Sequence, residues 1–172
     1  MKLQLSNIYQ LKEILDLVNI AYRGEKGWTR ETDIVDGNRV SENEIKQAIE
    51  DRLSHLLVHI VDGQLLSCIC ITQENDQAYI SLFSVHPEWQ GRGIGSQVLS
   101  AAEEYAYSLG VTKYVMVVVS QRTELISYYE RRGYIRTGRI EKYPAQLEVG
   151  TPKLKGLTIE YLEKNASPCY TR

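Results

Sequence analysis

The chain has 172 residues, of which 43% are hydrophobic and 24% are charged, a balance that is typical of a single globular domain. Its net charge of −2 gives no case for binding nucleic acid, which would need a clustered basic face, and it has no run of about 18 apolar residues that would cross a membrane. The first residues lack the apolar core of a secretion signal, and the three cysteines (Cys68, Cys70 and Cys169) do not make a disulfide framework. We therefore expect a cytoplasmic protein, with Cys68 and Cys70 as buried thiols on one strand face rather than metal ligands.

The N-terminal part of the chain predicts a strand, two helices and a long loop. Residues 2–5 suit a short strand, and apolar residues recur at helical spacing over 11–22, behind an N-cap at Ser6 or Asn7. Residues 23–40 show neither the helical nor the strand spacing of apolar residues, which predicts a loop. A loop of this length is often functional. Ser41 and Glu44 form a capping box, which predicts a second helix to about Leu53.

The remainder of the chain alternates between strands and helices. Asp62 and Gly63 predict a hairpin that joins strands 55–61 and 65–72. Strand 77–86 is apolar on both faces, so we expect it at the centre of a sheet that is covered on both sides. A helix over 94–109, a β-branched strand over 113–119 and a short helix over 124–132 follow. Strands 134–140 and 156–162 then pair, which leaves residues 1–163 as one domain and 164–172 as a tail.

A glycine-rich loop lies between strand 77–86 and the helix that follows it. Gly91, Gly93 and Gly95 alternate where the loop becomes the helix. Glycine lets backbone N–H groups approach a ligand, and the first turn of a helix has free N–H groups and a positive dipole end. This arrangement predicts a pyrophosphate cradle. A dinucleotide motif requires a third glycine where Ser96 stands, and no Gly-Lys-Ser/Thr triplet of a Walker loop is present.

Two motifs carry a resemblance to a known family. The segment Gln90-Gly-Arg-Gly-Ile-Gly95, preceded by Val85-His-Pro87, resembles the acetyl-CoA loop of the GNAT-superfamily N-acetyltransferases. The segment Tyr128-Tyr-Glu-Arg-Arg-Gly-Tyr134 is similar to the aromatic, Tyr, Glu, basic, any, Gly, Phe/Tyr run that follows the fifth strand in that family. The loop around residues 21–31 looks like a segment of a little-characterised bacterial branch.

The resemblance implies an α/β (α+β) GNAT fold, with a central, mixed, mostly antiparallel sheet of about seven strands flanked by about four helices. It implies an enzyme that transfers an acetyl group from acetyl-CoA to an amine by direct attack, without a metal. The residues implied to hold the pyrophosphate are Gln90, Gly91, Arg92, Gly93, Ile94, Gly95 and Ser96. The residues implied to hold the pantetheine arm and the thioester are Phe83, Ser84 and Val85, beside a strand splay or bulge near Ser84 and Val85.

The family's catalytic tyrosine corresponds to Tyr129. In family members this tyrosine often protonates the departing CoA thiolate, and the alternative is that it packs on the sheet or only hydrogen-bonds the sulfur. The sequence departs from the family at Arg122, where an asparagine that contacts the cofactor is common. A non-catalytic acyl-CoA-binding or sensing module on the same fold is the competing hypothesis for the whole protein.

The acceptor is a small-molecule or peptide amine, and its site is expected in loop 23–40 and in the hairpin over 142–153. Trp28 and Glu31 are the predicted acceptor contacts, although Trp28 also suits a role as a loop anchor. The acids of the loop suggest a cationic amine or simply a solvated surface; they are Glu25, Glu31, Asp33 and Asp36. The candidate bases that would deprotonate the amine are Glu31, Asp33, His86 and Glu88. Homodimerisation is expected by family analogy alone.

Overall fold

The computed structural model describes residues 1–144 and 150–167. The helices in these residues are α1 (Leu11–Arg23), α2 (Glu42–Glu50), α3 (Ile94–Ser108) and α4 (Thr123–Glu130). The first strands are β1 (Gln4–Leu5), β2 (Val35–Asp36), β3 (Ser54–Val61), β4 (Gln64–Glu74) and β5 (Gln77–Val85). The later strands are β6 (Lys113–Val119), β7 (Ile135–Lys142), β8 (Thr151–Pro152) and β9 (Thr158–Asn165). Short 3-10 turns span Ile8–Gln10, which Asn7 caps, and Pro87–Trp89.

Seven of these strands form one sheet in the order β1-β3-β4-β5-β6-β9-β7, and β2 pairs separately with β8. All neighbours in the large sheet are antiparallel except β5 and β6, which are parallel. The predicted mixed, mostly antiparallel sheet of seven strands with four helices is therefore confirmed. β5 is the middle strand of the seven, as its apolar character on both faces predicted.

Helices cover both faces of the sheet and create two cores. On one face, α1 and α2 bury Ile14 and Ile45 against alternate residues of β3 and β4. On the other face, α3 and α4 bury Leu99 and Ile126 against the residues of β3 and β4 whose side chains point the opposite way, such as Leu57 and Ile69. Cys68 and Cys70 are buried in the first core, and burial raises the pKa of Cys68 to about 12. Their prediction as buried thiols is confirmed, and Cys169 lies outside the described residues.

The sheet opens between β5 and β6. Their parallel pairing ends at Ile80 and Met116, after which β6 continues with β9 while β5 diverges. A bulge on β5 accompanies this splay, because Leu82 has φ +50° and Leu82 and Phe83 together oppose a single residue of β4. A splay or bulge was predicted near Ser84 and Val85. The splay includes these two residues, whereas the bulge lies just before them, since Ser84 and Val85 are themselves paired with Cys68 and Ser67 of β4.

Segment 23–40 is not entirely the loop that was predicted. Val35 and Asp36 form β2, which pairs with Pro152 and Thr151 of β8. Val35 is fully buried in a small cluster with Val119 and Leu157. A two-residue strand has no period of its own, so its partner far along the chain creates it.

The C-terminal boundary and the end of α2 also differ from the prediction. α2 ends at Glu50 rather than near Leu53. β9 runs to Asn165, two residues into the predicted tail, and Lys164 donates to Glu103 Oε2 at 2.6 Å. Residues 168–172 of that tail lie outside the described residues. Within residues 1–144 and 150–167, no helix is long and apolar enough to span a lipid bilayer.

Candidate active site

The glycine loop forms an open cradle at the N-terminus of α3. Gly91 and Gly93 have φ values of +75° and +78°, which other residues rarely adopt, and Gly93 is the N-cap of the helix. A Cβ atom at either position would meet no atom within 4 Å. The first backbone hydrogen bond of this segment runs from Gln97 N to Gly93 O at 3.2 Å, and none is donated by the N–H groups of 91–96 within the described residues. These groups are available to an anion.

A cleft of about 820 Å³ extends from this cradle along the end of β5. Several residues predicted to hold the cofactor line it; they are Phe83, Val85, Gln90, Gly91, Gly93, Gly95 and Ser96. The other lining residues are Tyr22, Trp28, Thr29, Leu125, Tyr128, Tyr129 and Arg132. We refer to it as the cradle cleft. The structure thus brings together the end of β5, the glycine loop and α4, as the two motifs predicted.

Three residues of the predicted cofactor set do not line the cradle cleft. Ser84 is buried, and its Oγ donates to Leu82 O at 3.2 Å. Ile94 packs against the core, and the Arg92 guanidinium lies over the Trp89 ring, 4.9 Å from its centroid. Contacts from their backbones to a cofactor stay a prediction.

Arg132 lines the cradle cleft and was not among the predicted residues. Its guanidinium lies 3.4 Å from the centroid of the Tyr128 ring, and it donates to Ser96 Oγ and, at 2.7 Å, to Tyr128 O. Its Nε atom is buried without a hydrogen-bond partner among the described residues. The spacing of four residues from Tyr128 is the sequence feature that points to this stacking. Arg132 brings a positive charge to the cradle, the role expected of Arg92.

Tyr129 lies where α4 meets the opening between β5 and β6. Its side chain is 6% exposed, and its hydroxyl makes no hydrogen bond within the described part of the chain. Burial raises the pKa of this phenol well above its ordinary value. The group is therefore protonated at neutral pH and has its proton free to donate.

Gln90 is committed to the protein rather than to a phosphate. Its Oε1 accepts from Trp28 N at 3.0 Å, and its Nε2 donates to Thr29 Oγ1 and to Val85 O, both at 3.0 Å. The side-chain amide thus joins loop 23–40 to the end of β5. Gln90 lines the cradle cleft, and the sequence did not predict this connection.

Arg122, the departure from the family pattern, anchors the same loop. It is 5% exposed and donates to Thr29 O at 3.0 Å and to Trp28 O at 3.2 Å. Its guanidinium also lies 3.5 Å from Glu31 Oε1 and pairs with Glu124. A buried arginine that binds two backbone carbonyls has a structural reason to be present, which the sequence alone did not reveal.

A second cleft, of about 980 Å³, lies between the splayed ends of β5 and β6. Its walls are residues 79–83 and 115–119, with Tyr22, Glu31, Arg39, Leu125, Tyr129, Tyr143, Pro144 and Ile159. Tyr22, Phe83, Leu125 and Tyr129 line both clefts. We refer to it as the splay cleft. The two clefts are therefore adjacent, and Tyr129 is one of the residues that they share.

The predicted acceptor residues separate in the structure. Glu31 lines the splay cleft, whereas Trp28 lines the cradle cleft, with its ring centroid 5.4 Å from that of Tyr128. The other candidate bases and loop acids line neither cleft; they are Glu25, Asp33, Asp36, His86 and Glu88. Residues 145–149 of the predicted hairpin lie outside the described residues. In the part that the structure describes, no three His, Cys, Asp or Glu residues cluster as metal ligands.

A family profile and solved structures of acetyltransferases both match this chain. The profile of the acetyltransferase (GNAT) family matches residues 11–134. The fold matches the ribosomal-protein-S18-alanine N-acetyltransferase of Escherichia coli with a TM-score of 0.72 at 13% identity, over 99% of this chain and 97% of that one. It also matches the spermidine N-acetyltransferase of Vibrio cholerae in complex with CoA and spermine (TM-score 0.72, 16% identity, 96% and 95% covered).

Proposed function

The chain belongs to the acetyltransferase (GNAT) family, and on this basis we propose that it transfers an acetyl group from acetyl-CoA to a primary amine by direct attack. One observation carries this proposal. Tyr129, whose phenol is protonated and makes no hydrogen bond among the described residues, lines both the cradle cleft and the splay cleft. Two substrates that enter from opposite sides would bring a thioester and an amine together at one proton donor.

Acetyl-CoA fits the cradle cleft through this chain's own groups. The free N–H groups of residues 91–96 would hold the pyrophosphate, and Arg132, whose Nε has no described partner, would supply the compensating charge. The thioester would then lie toward Phe83 and Val85. The carbonyl of Val85 already accepts from Gln90, so the backbone there is held rigid for the ligand.

Tyr129 acts as the general acid in this proposal. When the amine has attacked, the bond from carbon to sulfur breaks and the phenolic proton passes to the departing thiolate. The amine must itself lose a proton, since an alkyl ammonium has a pKa of about 10.4. Glu31 is the carboxylate of the splay cleft, but Arg23 and Arg122 hold its oxygens. Water that enters the open cleft is therefore the proposed acceptor of that proton.

The test is thiol release from acetyl-CoA by the purified protein with a panel of amines. The panel includes spermidine and an alanine N-terminal peptide, the substrates that the names of similar structures give. We expect release with at least one amine, together with a product that is heavier by one acetyl group. Tight CoA binding without release across the panel would overturn the proposal in favour of the acyl-CoA-binding module. A homodimer and a cytoplasmic location stay predictions.

A further inference from the structure

Among the described residues, two charged side chains line the splay cleft, and one of them is already neutralised. Glu31 is 6% exposed, and its Oε2 lies 2.5 Å from Arg23 Nη1 while its Oε1 lies 3.5 Å from Arg122 Nη1. A carboxylate with a guanidinium at each oxygen has little attraction left for a substrate ammonium group. Glu31 therefore stabilises the loop rather than recognising a cationic acceptor.

The other of these two side chains, Arg39, has no anionic partner in the part of the chain that the structure describes. Its guanidinium lies over the Tyr22 ring, 5.3 Å from the centroid, and its backbone N–H is fixed by Asn19 Oδ1 at 2.8 Å. Among the described residues, no carboxylate lies within 4.0 Å of it, and its side chain donates no hydrogen bond. Arginine presents several N–H donors in a planar fork that matches a carboxylate. The Arg39 guanidinium lines the splay cleft, and its N–H donors are free to bind such a group.

The acids of loop 23–40 do not reverse this charge balance. Asp33 and Asp36 have side chains that are 83% and 76% exposed, and they lie near Arg30 and Lys153 on the protein surface. Glu25 is exposed as well. Close to the cleft, three arginines (Arg23, Arg39 and Arg122) face two carboxylates among the described residues, those of Glu31 and Glu124, which leaves the charge of Arg39 uncompensated. The local field thus favours an anion.

From these observations we propose that the acceptor is a small primary amine that also carries a carboxylate, and that Arg39 binds this carboxylate. The proposal rests on the acetyltransferase function proposed above. The amine would point toward Tyr129, and the stem would lie on the apolar wall formed by Met116, Val117 and Val118. Arg39 is thus a specificity-determining residue, and a polyamine is a poor acceptor.

The experiment compares three acceptors of equal stem length: an ω-amino acid, its primary amide and the corresponding diamine. We expect kcat/KM for the amino acid to exceed that of the other two by about 10- to 100-fold, the effect of one charge-assisted bidentate contact. Arg39→Met should remove this preference while changing kcat/KM for the amide less than about twofold. Arg30→Met, an exposed arginine of the same loop, should leave all three values unchanged. An ω-amino phosphonate distinguishes a carboxylate site from a general anion site.

Three results would overturn the proposal. They are a diamine that matches the amino acid, an equal loss for acid and amide in Arg39→Met, and a phosphonate that is preferred over the carboxylate. If no amine releases thiol, the proposed function fails separately. Calorimetry of the amino acid and the amide with the CoA complex then decides the inference, because a preference for the acid that Arg39→Met abolishes supports the site without turnover.

Discussion

The two clefts differ in how their residues are distributed along the chain. The cradle cleft takes most of its ligand-facing groups from residues 83–96 and 125–132, two short segments with recognisable motifs. The splay cleft draws on α1, loop 23–40, β5, β6 and β9. A phosphate cradle is made from adjacent backbone N–H groups, whereas the splay cleft needs side chains that only tertiary packing brings together. The residues of the family motifs are therefore close together in the sequence, whereas the residues that line the splay cleft are far apart in it.

The largest expected effect tests the point where the two clefts meet. Tyr129 lines both of them, and we expect Tyr129→Phe, which removes its hydroxyl, to lower kcat by about 10²- to 10⁴-fold, the usual contribution of a general acid. The dissociation constant of CoA, measured by calorimetry, should change little. Tyr107→Phe, an exposed tyrosine on α3, is the control. A loss of CoA affinity equal to the loss of rate would assign Tyr129 to binding.

A second prediction tests whether the cradle cleft also depends on a residue outside its two motifs. Arg122→Met leaves the carbonyls of Trp28 and Thr29 without a donor and Glu31 with one arginine fewer. We expect the free energy of unfolding to fall by about 3 kcal/mol, as when a buried ion pair loses one member, and CoA to bind more weakly. Urea denaturation and calorimetry measure the two effects.

The matched control for this variant is Arg30→Met, because the ion pair of Arg30 with Asp33 is solvent-exposed. That change should cost less than about 1 kcal/mol. If Arg122→Met were equally mild, loop 23–40 would not depend on Arg122.

A third, smaller effect separates backbone strain from ligand space at the cradle. Gly93 and Gly63 both have φ +78°, and a Cβ at either meets no atom within 4 Å. Gly93→Val and Gly63→Val should therefore each lower the free energy of unfolding by about 1–2 kcal/mol, the cost of the left-handed conformation. CoA affinity should fall in Gly93→Val alone, since Gly63 lies in the β3–β4 turn. Equal affinities for CoA would remove the cradle from the proposed site.

The smallest expected effect is the absence of an alkaline limb in kcat. Because the pKa of Tyr129 is raised, the phenol keeps its proton as the pH rises, and ionisation would remove activity only above about pH 10. An increase of kcat/KM between about pH 7 and 9.5 then reports deprotonation of the acceptor amine. Acceptors with lower amine pKa values should shift the rise but not the plateau. A fall of kcat near pH 9 would contradict the assignment of the acid.

Particular residues explain what the sequence could and could not predict. Gly91 and Gly93 reveal their conformation by their identity, because few other residues tolerate a positive φ. Leu82 adopts φ +50° although leucine does not favour it, so the neighbouring strands impose the bulge. The central position of β5 followed from its apolar faces, whereas β2 depends on β8, which no local pattern indicates.

The same distinction holds for the arginines. Arg132 could have been recognised from its spacing to Tyr128, because residues four apart on a helical turn are neighbours. Arg39 has no such partner in the sequence. It reaches the Tyr22 ring only because Asn19 of α1 fixes the end of the loop, a contact between residues about twenty positions apart. Physical rules for short segments therefore predicted most residues that line the cradle cleft and few of those that line the splay cleft.

The hydrogen bonds of Gln90 have a consequence for how the two substrates affect each other's binding. One amide group connects the glycine loop with Trp28 and Thr29, so we expect a ligand that fixes the glycine loop to fix loop 23–40 as well, which contributes Glu31 and Arg39 to the splay cleft. Thermodynamic linkage makes such coupling reciprocal: acetyl-CoA and the acceptor would raise each other's affinity by the same factor. Calorimetry should then show that the acceptor binds more tightly to the CoA complex than to the free protein. Gln90→Ala should remove this difference.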